Sequence, residues 1–516
     1  MKLSKIFGKF KRLASIMLCA ILIMSLTTSP FAMAMEDKDA TNPAQPLSLQ
    51  NTQFFSDYKS LTDVYEAGLE LNKEIAAEGY ILLKNESNSL PVAVGSKISL
   101  FGKSSPALND SLTKAGYELN PVLQAFYSDN DASGIGARRM NDASFNATGE
   151  TPQAMYLDEV KASYAQYGGT AVVVFARSGG EGSDLPRVSF AEVEGQAEAS
   201  KAYPSRSDIE SGTWTPVGGM GRESDPFAHY LELDDHEEAL LDMLQNSPEF
   251  DNVIVLLNST YAMELGFLKD DSFSKVRSCI WIPGTGANGL EMVGEILNGS
   301  VNPSGRTPDI LQADFTADPA WNNYANNFVG NEGGFDSAKG NQYTNEDGTL
   351  YKANFNTGFY EVSYEEGIYI GYHYYETRGF TEQQASGNDD WYQNMVVYPF
   401  GYGLSYTDFE WEVVEVAPAS AATLGRNDVI EVHVKVTNTG EVAGKEVVQV
   451  YYEAPYTTNG IEKAKVELVD FAKTDLLEPG ASETVMLTLT ARDMASYDYN
   501  DANENGFKGY ELEAGD

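Results

Sequence analysis

The sequence predicts an α/β sandwich domain with a largely parallel sheet, followed by a smaller all-β sandwich. Four short, strongly apolar runs, 98–101, 171–176, 253–257 and 278–282, alternate with segments of helical periodicity. Parallel strands require crossovers of that kind. Beyond Phe409 the period drops to two. Val432, Val434 and Val436 point one way, Asn438-Thr439-Gly440 makes a turn, and further runs follow at 446–452 and 485–489, the pattern of an antiparallel sandwich. A chain of 516 residues with 42% hydrophobic and 22% charged residues has length for about three domains and is not generally disordered.

The first 34 residues differ in kind from the rest. Lys2, Lys5, Lys9, Lys11 and Arg12 precede an apolar stretch at 13–26, and Ala32-Met33-Ala34 follows. This is the layout of a secretory signal peptide cleaved after Ala34, and it makes the protein extracellular. An uncleaved membrane anchor is the alternative, since the stretch approaches a bilayer-spanning length. Cys19 follows Leu18, where lipoprotein processing wants a small residue. Residues 35–60 are polar and rich in Pro, Asn and Gln, as a linker is.

Helical spacing begins at 61–79, with Val64, Ala67, Leu71 and Ile75 on one stripe and Gly79 as the stop. A second helix is expected at 234–244, with Asp234 as its cap and Glu237 three residues on. With Cys19 in the leader, Cys279 is the one remaining thiol. It lies in the apolar run Ser278-Cys279-Ile280-Trp281-Ile282 and reads as a core residue, with no disulfide to form. A formal net charge of −41 excludes nucleic acid as a partner, because phosphates would be repelled.

Ligands of such sheets bind beyond the carboxyl ends of the strands. The loop there after 171–176 reads Arg177-Ser178-Gly179-Gly180-Glu181-Gly182-Ser183-Asp184-Leu185-Pro186-Arg187. Glycines allow close backbone approach, and the acids could hold a carboxylate near a substrate. A phosphate site does not fit, because the glycine spacing is wrong and the acids would repel the anion. Near the C-terminus, Asp501-Ala502-Asn503-Glu504-Asn505-Gly506 opens like a calcium loop. Leu512 stands where the bidentate Glu belongs, so a polar hairpin turn is the better reading and no metal or cofactor is expected.

Five motifs in one order resemble the family-3 glycoside hydrolases, typified by secreted β-glucosidases. Ala76-Ala77-Glu78-Gly79-Tyr80-Ile81-Leu82-Leu83-Lys84-Asn85-Glu86 is similar to the entry of that family's second domain, and Gly180-Glu181-Gly182-Ser183-Asp184 to its acid/base loop. Asn302-Pro303-Ser304-Gly305-Arg306 resembles its Asn-Pro-Ser-Gly-Lys/Arg turn. Tyr364-Glu365-Glu366-Gly367-Ile368-Tyr369 and Tyr398-Pro399-Phe400-Gly401-Tyr402-Gly403-Leu404-Ser405-Tyr406 look like its closing segments. Gly444-Lys445-Glu446-Val447-Val448-Gln449-Val450-Tyr451 and Leu477-Glu478-Pro479-Gly480 resemble the family's fibronectin III-like (immunoglobulin-like) sandwich. The resemblance implies an α/β domain at 61–409 and a fibronectin III-like domain at 410–516 whose last strand is missing.

It also implies a chemistry. Retaining glycosidases use two carboxyl groups about 5 to 5.5 Å apart. In the family the nucleophile is an Asp from a (β/α)8 barrel and the acid/base is a Glu from the second domain's loop, a role that falls here on Glu181. Asp184 and Arg187 are candidates to position that loop or bind a sugar hydroxyl, with a mutual salt bridge as the plainer alternative. No stretch resembles the barrel, and too few residues precede Glu74 to hold one. The order is similar to permuted members whose barrel comes last. His373 stands where the family has Arg, and the loop at 200–225 is long. The expected protein is thus part of a secreted β-glucosidase or β-xylosidase type hydrolase, acting on an oligosaccharide or β-glucoside, inactive without its barrel and capable of homo-oligomer formation. The alternative is a noncatalytic carbohydrate-binding or cell-surface scaffold.

Overall fold

The computed structural model describes residues 57–129, 148–177, 229–320, 324–326, 360–362, 364–418 and 423–513. The leader and residues 35–56 of the linker therefore lie outside the described residues. The chain falls into two compact units, Met1–Leu61 and Thr62–Asp516, and the contacts below lie within the second.

Helix α1 (Leu61–Gly79) leads into strand β1 (Ile81–Asn85). Then come β2 (Lys97–Phe101), α2 (Asn109–Lys114), β3 (Glu118–Leu119), α3 (Pro121–Ser128), α4 (Asp158–Ser163), β4 (Gly169–Ala176), α5 (Asp235–Asn246), β5 (Phe250–Asn258), β6 (Val276–Trp281) and α6 (Glu291–Leu297). The six strands form one sheet in the order β1-β6-β5-β4-β2-β3. Every pairing is parallel except that of β1, which runs antiparallel to β6 with Ile81 opposite Trp281.

Strict alternation along the central strands splits their apolar side chains between two cores. Ala171, Val173 and Phe175 of β4 and Val253, Val255 and Leu257 of β5 face α3, α4 and α5. Val172, Val174, Ile254 and Leu256 face α1, α2 and α6. Burying each such side chain is worth about 1.5 to 3 kcal/mol, which is why the runs of the sequence have no polar face. Helix α5 begins as expected: Asp234 Oδ1 accepts the amides of His236 (3.0 Å) and Glu237 (2.8 Å), while Glu237 Oε2 accepts that of Asp234 (3.0 Å).

Helix α1 departs from the stripe read in the sequence. Ile75 is 49% exposed, and the buried residue is its neighbour Ala76. Close approach explains the shift: a Cβ on Gly289 would stand 2.7 Å from the Ala76 methyl, so only the small residue can face the core there.

Beyond the sheet, β7 (Leu311–Gln312) pairs with β10 (Val396–Tyr398) and β8 (Tyr324–Asn326) with β9 (Tyr360–Val362), with α7 (Tyr372–Ser386) and α8 (Asp390–Met395) before β10. The all-β part has a three-stranded sheet of β11 (Phe409–Ala417), β12 (Val429–Asn438) and β15 (Ser482–Thr490). It also has a pair, β13 (Val447–Tyr452) with β14 (Glu467–Lys473), and a hairpin, β16 (Ser496–Asp498) with β17 (Gly509–Glu511). Val434, Val436, Val448, Leu477, Val485 and Leu487 make its core. The calcium-like stretch is the turn of the β16–β17 hairpin, where Asn503 and Asn505 both donate to Glu511 and the Gly506 amide to Asp501.

Several of the sequence motifs meet at the seam between the two parts. Leu404 N–H donates to Leu82 O (2.8 Å), Asn302 accepts the Tyr406 amide (2.8 Å) and donates to Ala443 O (3.1 Å), and Arg306 pairs with Glu446. Glu78, at the end of α1, takes Lys445 on one oxygen and Lys473 on the other. These motif residues are thus structural fasteners.

Candidate active site

From β2 the chain goes outward to β3 and then returns to β4 on the other side of β2, so the sheet's topological switch lies between β2 and β4. Ligand crevices form at such points. A crevice of about 770 Å³ opens there, lined by Lys103 and Ser104 after β2, Arg177 after β4, Asn258 at the end of β5 with Ser259 and Thr260 after it, and Gly284 and Thr285 after β6.

Arg177 is the first residue past β4 and is buried. Its Nη1 and Nη2 donate to the two oxygens of Glu237, each at 2.7 Å, its Nε to Tyr230 O and its Nη2 to Glu232 O, both at 2.6 Å. One guanidinium thereby ties the strand end, where residues 178–228 depart, to the segment where they return. His229 makes a second tie. Its Nδ1 accepts the Leu231 amide (3.2 Å), and its Nε2 lies 3.0 Å from Glu264 and 3.1 Å from Glu232. Glu264 also accepts the Phe315 amide at 2.5 Å.

His229, Glu232 and Glu264 are close enough together to share a metal ion, with ligand atoms within 4.8 Å of one another. The hydrogen bonding argues for another use. A metal on Nε2 needs the proton on Nδ1, whereas Nδ1 here is an acceptor, which leaves Nε2–H to bridge the two carboxylates.

Behind the crevice, Glu150 is buried and accepts the amides of Lys103 and Thr151, each at 2.8 Å. Burial, helped by the nearby Glu237 and Asp234 and opposed by those two bonds, pushes its carboxyl up to about 8. Burial likewise pulls the Lys103 ammonium below the usual lysine range.

Glu181, Asp184 and Arg187 lie outside the described residues, as does the stretch 200–225. His373 is on the first turn of α7, in ring contact with Tyr372 (4.2 Å) and away from the residues lining the crevice. Burial lowers its imidazole's proton affinity. Sequence reasoning assigned no role to Lys103, Glu150 or His229. Only Arg177 carried a signal, as a cation directly at a strand's carboxyl end.

The family described as Glycosyl hydrolase family 3 C-terminal domain matches residues 80–372, and Fibronectin type III-like domain matches 446–515. Beta-glucosidase A of Butyrivibrio fibrisolvens is 31% identical over 457 residues, covering 83% of this chain and 46% of that protein. The structure of a β-glucosidase from Paenibacillus barengoltzii superposes with a TM-score of 0.61 at 28% identity, over 87% of this chain and 41% of that one. β-Glucosidase 3B of Thermotoga neapolitana, solved in complex with α-D-glucose, gives 0.56 at 26% identity, over 86% and 51%. The chain spans about half the length of these relatives.

Proposed function

Since the chain belongs to the glycosyl hydrolase family 3 C-terminal domain family, we propose that it is the acid/base-bearing part of a secreted retaining β-glycosidase of β-glucosidase or β-xylosidase type. Glu181 is the general acid/base, and the Asp nucleophile comes from a barrel domain outside the chain.

The observation that carries this reading is the Arg177 tie. Glu181 follows Arg177 by four positions, and four residues reach at most about 14 Å. That reach supports a place for the Glu181 carboxyl within range of the crevice. The relatives named β-glucosidases, one of them solved with glucose, support a glycoside as the substrate.

In the first step Glu181, protonated, gives its proton to the leaving glycosidic oxygen as the carbon–oxygen bond breaks and the nucleophile bonds to the anomeric carbon. In the second, Glu181 as carboxylate takes a proton from the water that releases the sugar. Asp184 and Arg187 orient the loop or a sugar hydroxyl.

The test has two parts. The purified 516-residue chain should not turn over an aryl β-glucoside; robust turnover would show that no outside nucleophile is needed. In an enzyme that joins this chain to a barrel, Glu181→Gln should lose activity on poor leaving groups and keep it on good ones, with azide restoring turnover. Unchanged activity on poor leaving groups would remove Glu181 from the mechanism. N-terminal sequencing of secreted protein, expected to begin at Met35, tests the leader.

A further inference from the structure

The turn of the β16–β17 hairpin carries a group of oxygen donors that the proposed chemistry does not use. Its sequence opens like a calcium loop, with Leu512 in place of the glutamate at the twelfth position. That spacing belongs to a loop that exits into a helix. This one exits into strand β17, where successive side chains point to opposite faces. Tyr510 and Leu512 are both exposed, so Glu511 between them turns to the other face.

Strand pairing fixes what shares that face. Ser496 stands opposite Glu511, Tyr497 opposite Tyr510 and Asp498 opposite Gly509, so Asp498 and Glu511 lie on one face and the two tyrosines on the other. Asp498 is 1% exposed. Its Oδ1 accepts the Asn500 amide (3.1 Å), and its Oδ2 has no hydrogen-bond partner. Burial raises its carboxyl, but the amides of residues 500–503 lower it to a net position below the usual aspartate range, which sets it as an anion against the start of the turn. Glu511 Oε1 is likewise buried without a partner, while Oε2 takes the side-chain amides of Asn503 (2.9 Å) and Asn505.

We infer that this turn is a calcium site, with the carboxylates of Asp498 and Glu511 and the carboxamide oxygens of Asn503 and Asn505 as its protein ligands. The inference does not depend on the glycosidase reading.

Charge and donor type are the physical reasons. Among the described residues neither carboxylate is in an ion pair, and each keeps a buried oxygen that nothing satisfies. Such oxygens are strongly disfavoured, and one divalent cation cancels both charges. The donors are all oxygens, which suit a hard cation. A half-turn about Cβ–Cγ exchanges nitrogen for oxygen in each asparagine and presents the oxygens where the amides now meet Glu511. Asp501 holds the turn in shape by accepting the Gly506 amide (2.9 Å). Four protein oxygens completed by water fit calcium, which takes six to eight ligands in loose geometry, better than magnesium with its strict octahedron.

The experiment frees the 516-residue chain of metal with EDTA and titrates it with terbium(III), whose emission is excited through tyrosine. Tyr497 and Tyr499 flank Asp498 and act as the antennae. One saturable site is expected, from which calcium displaces terbium with a dissociation constant of about 0.1 to 1 mM, the range of extracellular modules, and magnesium at the same concentration does not. Glu511→Gln should weaken calcium binding about tenfold or more, since ligand charge sets affinity in such loops. Asn505→Ala, at an exposed position outside the strand pairs, gives a second reading if Glu511→Gln does not fold, and it too should weaken binding. Terbium emission that never saturates, or calcium affinity unchanged in the folded variants, would mean that the acidic surface merely gathers cations and would overturn the inference.

Discussion

Arg177 and Glu237 form a buried, two-pronged ion pair, Nη1 to Oε1 and Nη2 to Oε2 at 2.7 Å each, 60 positions apart in the chain. The same guanidinium holds the carbonyls of Tyr230 and Glu232, so its donors are used on three partners besides its own strand end. Removing one member of such a pair leaves the other buried and unpaired. Arg177→Ala should cost about 3 to 5 kcal/mol, read as a lower urea midpoint with an unchanged slope. Arg177→Lys should recover only part of that, because an ammonium cannot make the planar fork. A lysine variant as stable as the wild type would mean that charge alone matters at this point.

The sequence disclosed what is local and hid what is made by distant contacts. The α5 capping box was readable because Asp234 and Glu237 are three residues apart and solve each other's hydrogen bonding. The strands β4 and β5 were readable because burial on both faces leaves a continuous apolar run. Strand β1 was not assigned. It follows α1 after a single residue, with no turn signal between them, and pairs with β6 some 200 positions later. The buried stripe of α1 shifted to Ala76 because Gly289 approaches it, which no periodicity reveals. At the site, Glu150 accepts the amide of Lys103, 47 positions earlier. A lone glutamate in a polar stretch gives no hint of that. Glu181 was proposed through a motif, and the motifs around Glu78 and Asn302 turned out to join the α/β and all-β parts, while Leu404 ties back to Leu82 within the α/β part.

Two glycines should respond oppositely to the same substitution. A Cβ on Gly305 would sit 2.6 Å from Tyr80 O and 2.7 Å from Gly79 O, both backbone atoms that cannot rotate away. Gly305→Ala should therefore destabilise by about 1 to 3 kcal/mol. Gly68, inside α1, has nothing within 4 Å of the same position, and Gly68→Ala should stabilise by about 0.5 to 1 kcal/mol through the lower backbone entropy of the unfolded chain. Thermal melts of both variants decide. A neutral Gly305→Ala would show that the turn after β6 and α6 is free to move away from β1.

Cys279 sits in β6 at 0% exposure, and burial pushes its thiol far above the ordinary range. The thiolate is the reactive species. A disulfide reagent such as Ellman's should leave the thiol at 279 untouched in the folded chain and titrate it on unfolding, at a rate that follows the opening of the sheet. Prompt labelling of that thiol under native conditions would require β6 to be accessible between β1 and β5.

The seam predicts an acid limit for the joined domains. Burial raises the Glu78 carboxyl, but the hydrogen bonds and charges of Lys445 and Lys473 overcome it, and the net effect lies below the usual glutamate range. A carboxyl lowered on folding binds fewer protons in the folded state, so its contribution is complete above the unfolded value near 4.3 and disappears as pH falls through the folded value. Glu78 is partly solvated, and salt will screen the effect. Melting temperatures of the wild type and Glu78→Gln should therefore converge as pH falls from 6 towards 3 and separate above it, with the gap narrower in 1 M salt. A gap that is constant with pH would assign the Glu78 contribution to packing of its side chain against the sandwich instead of to its charge.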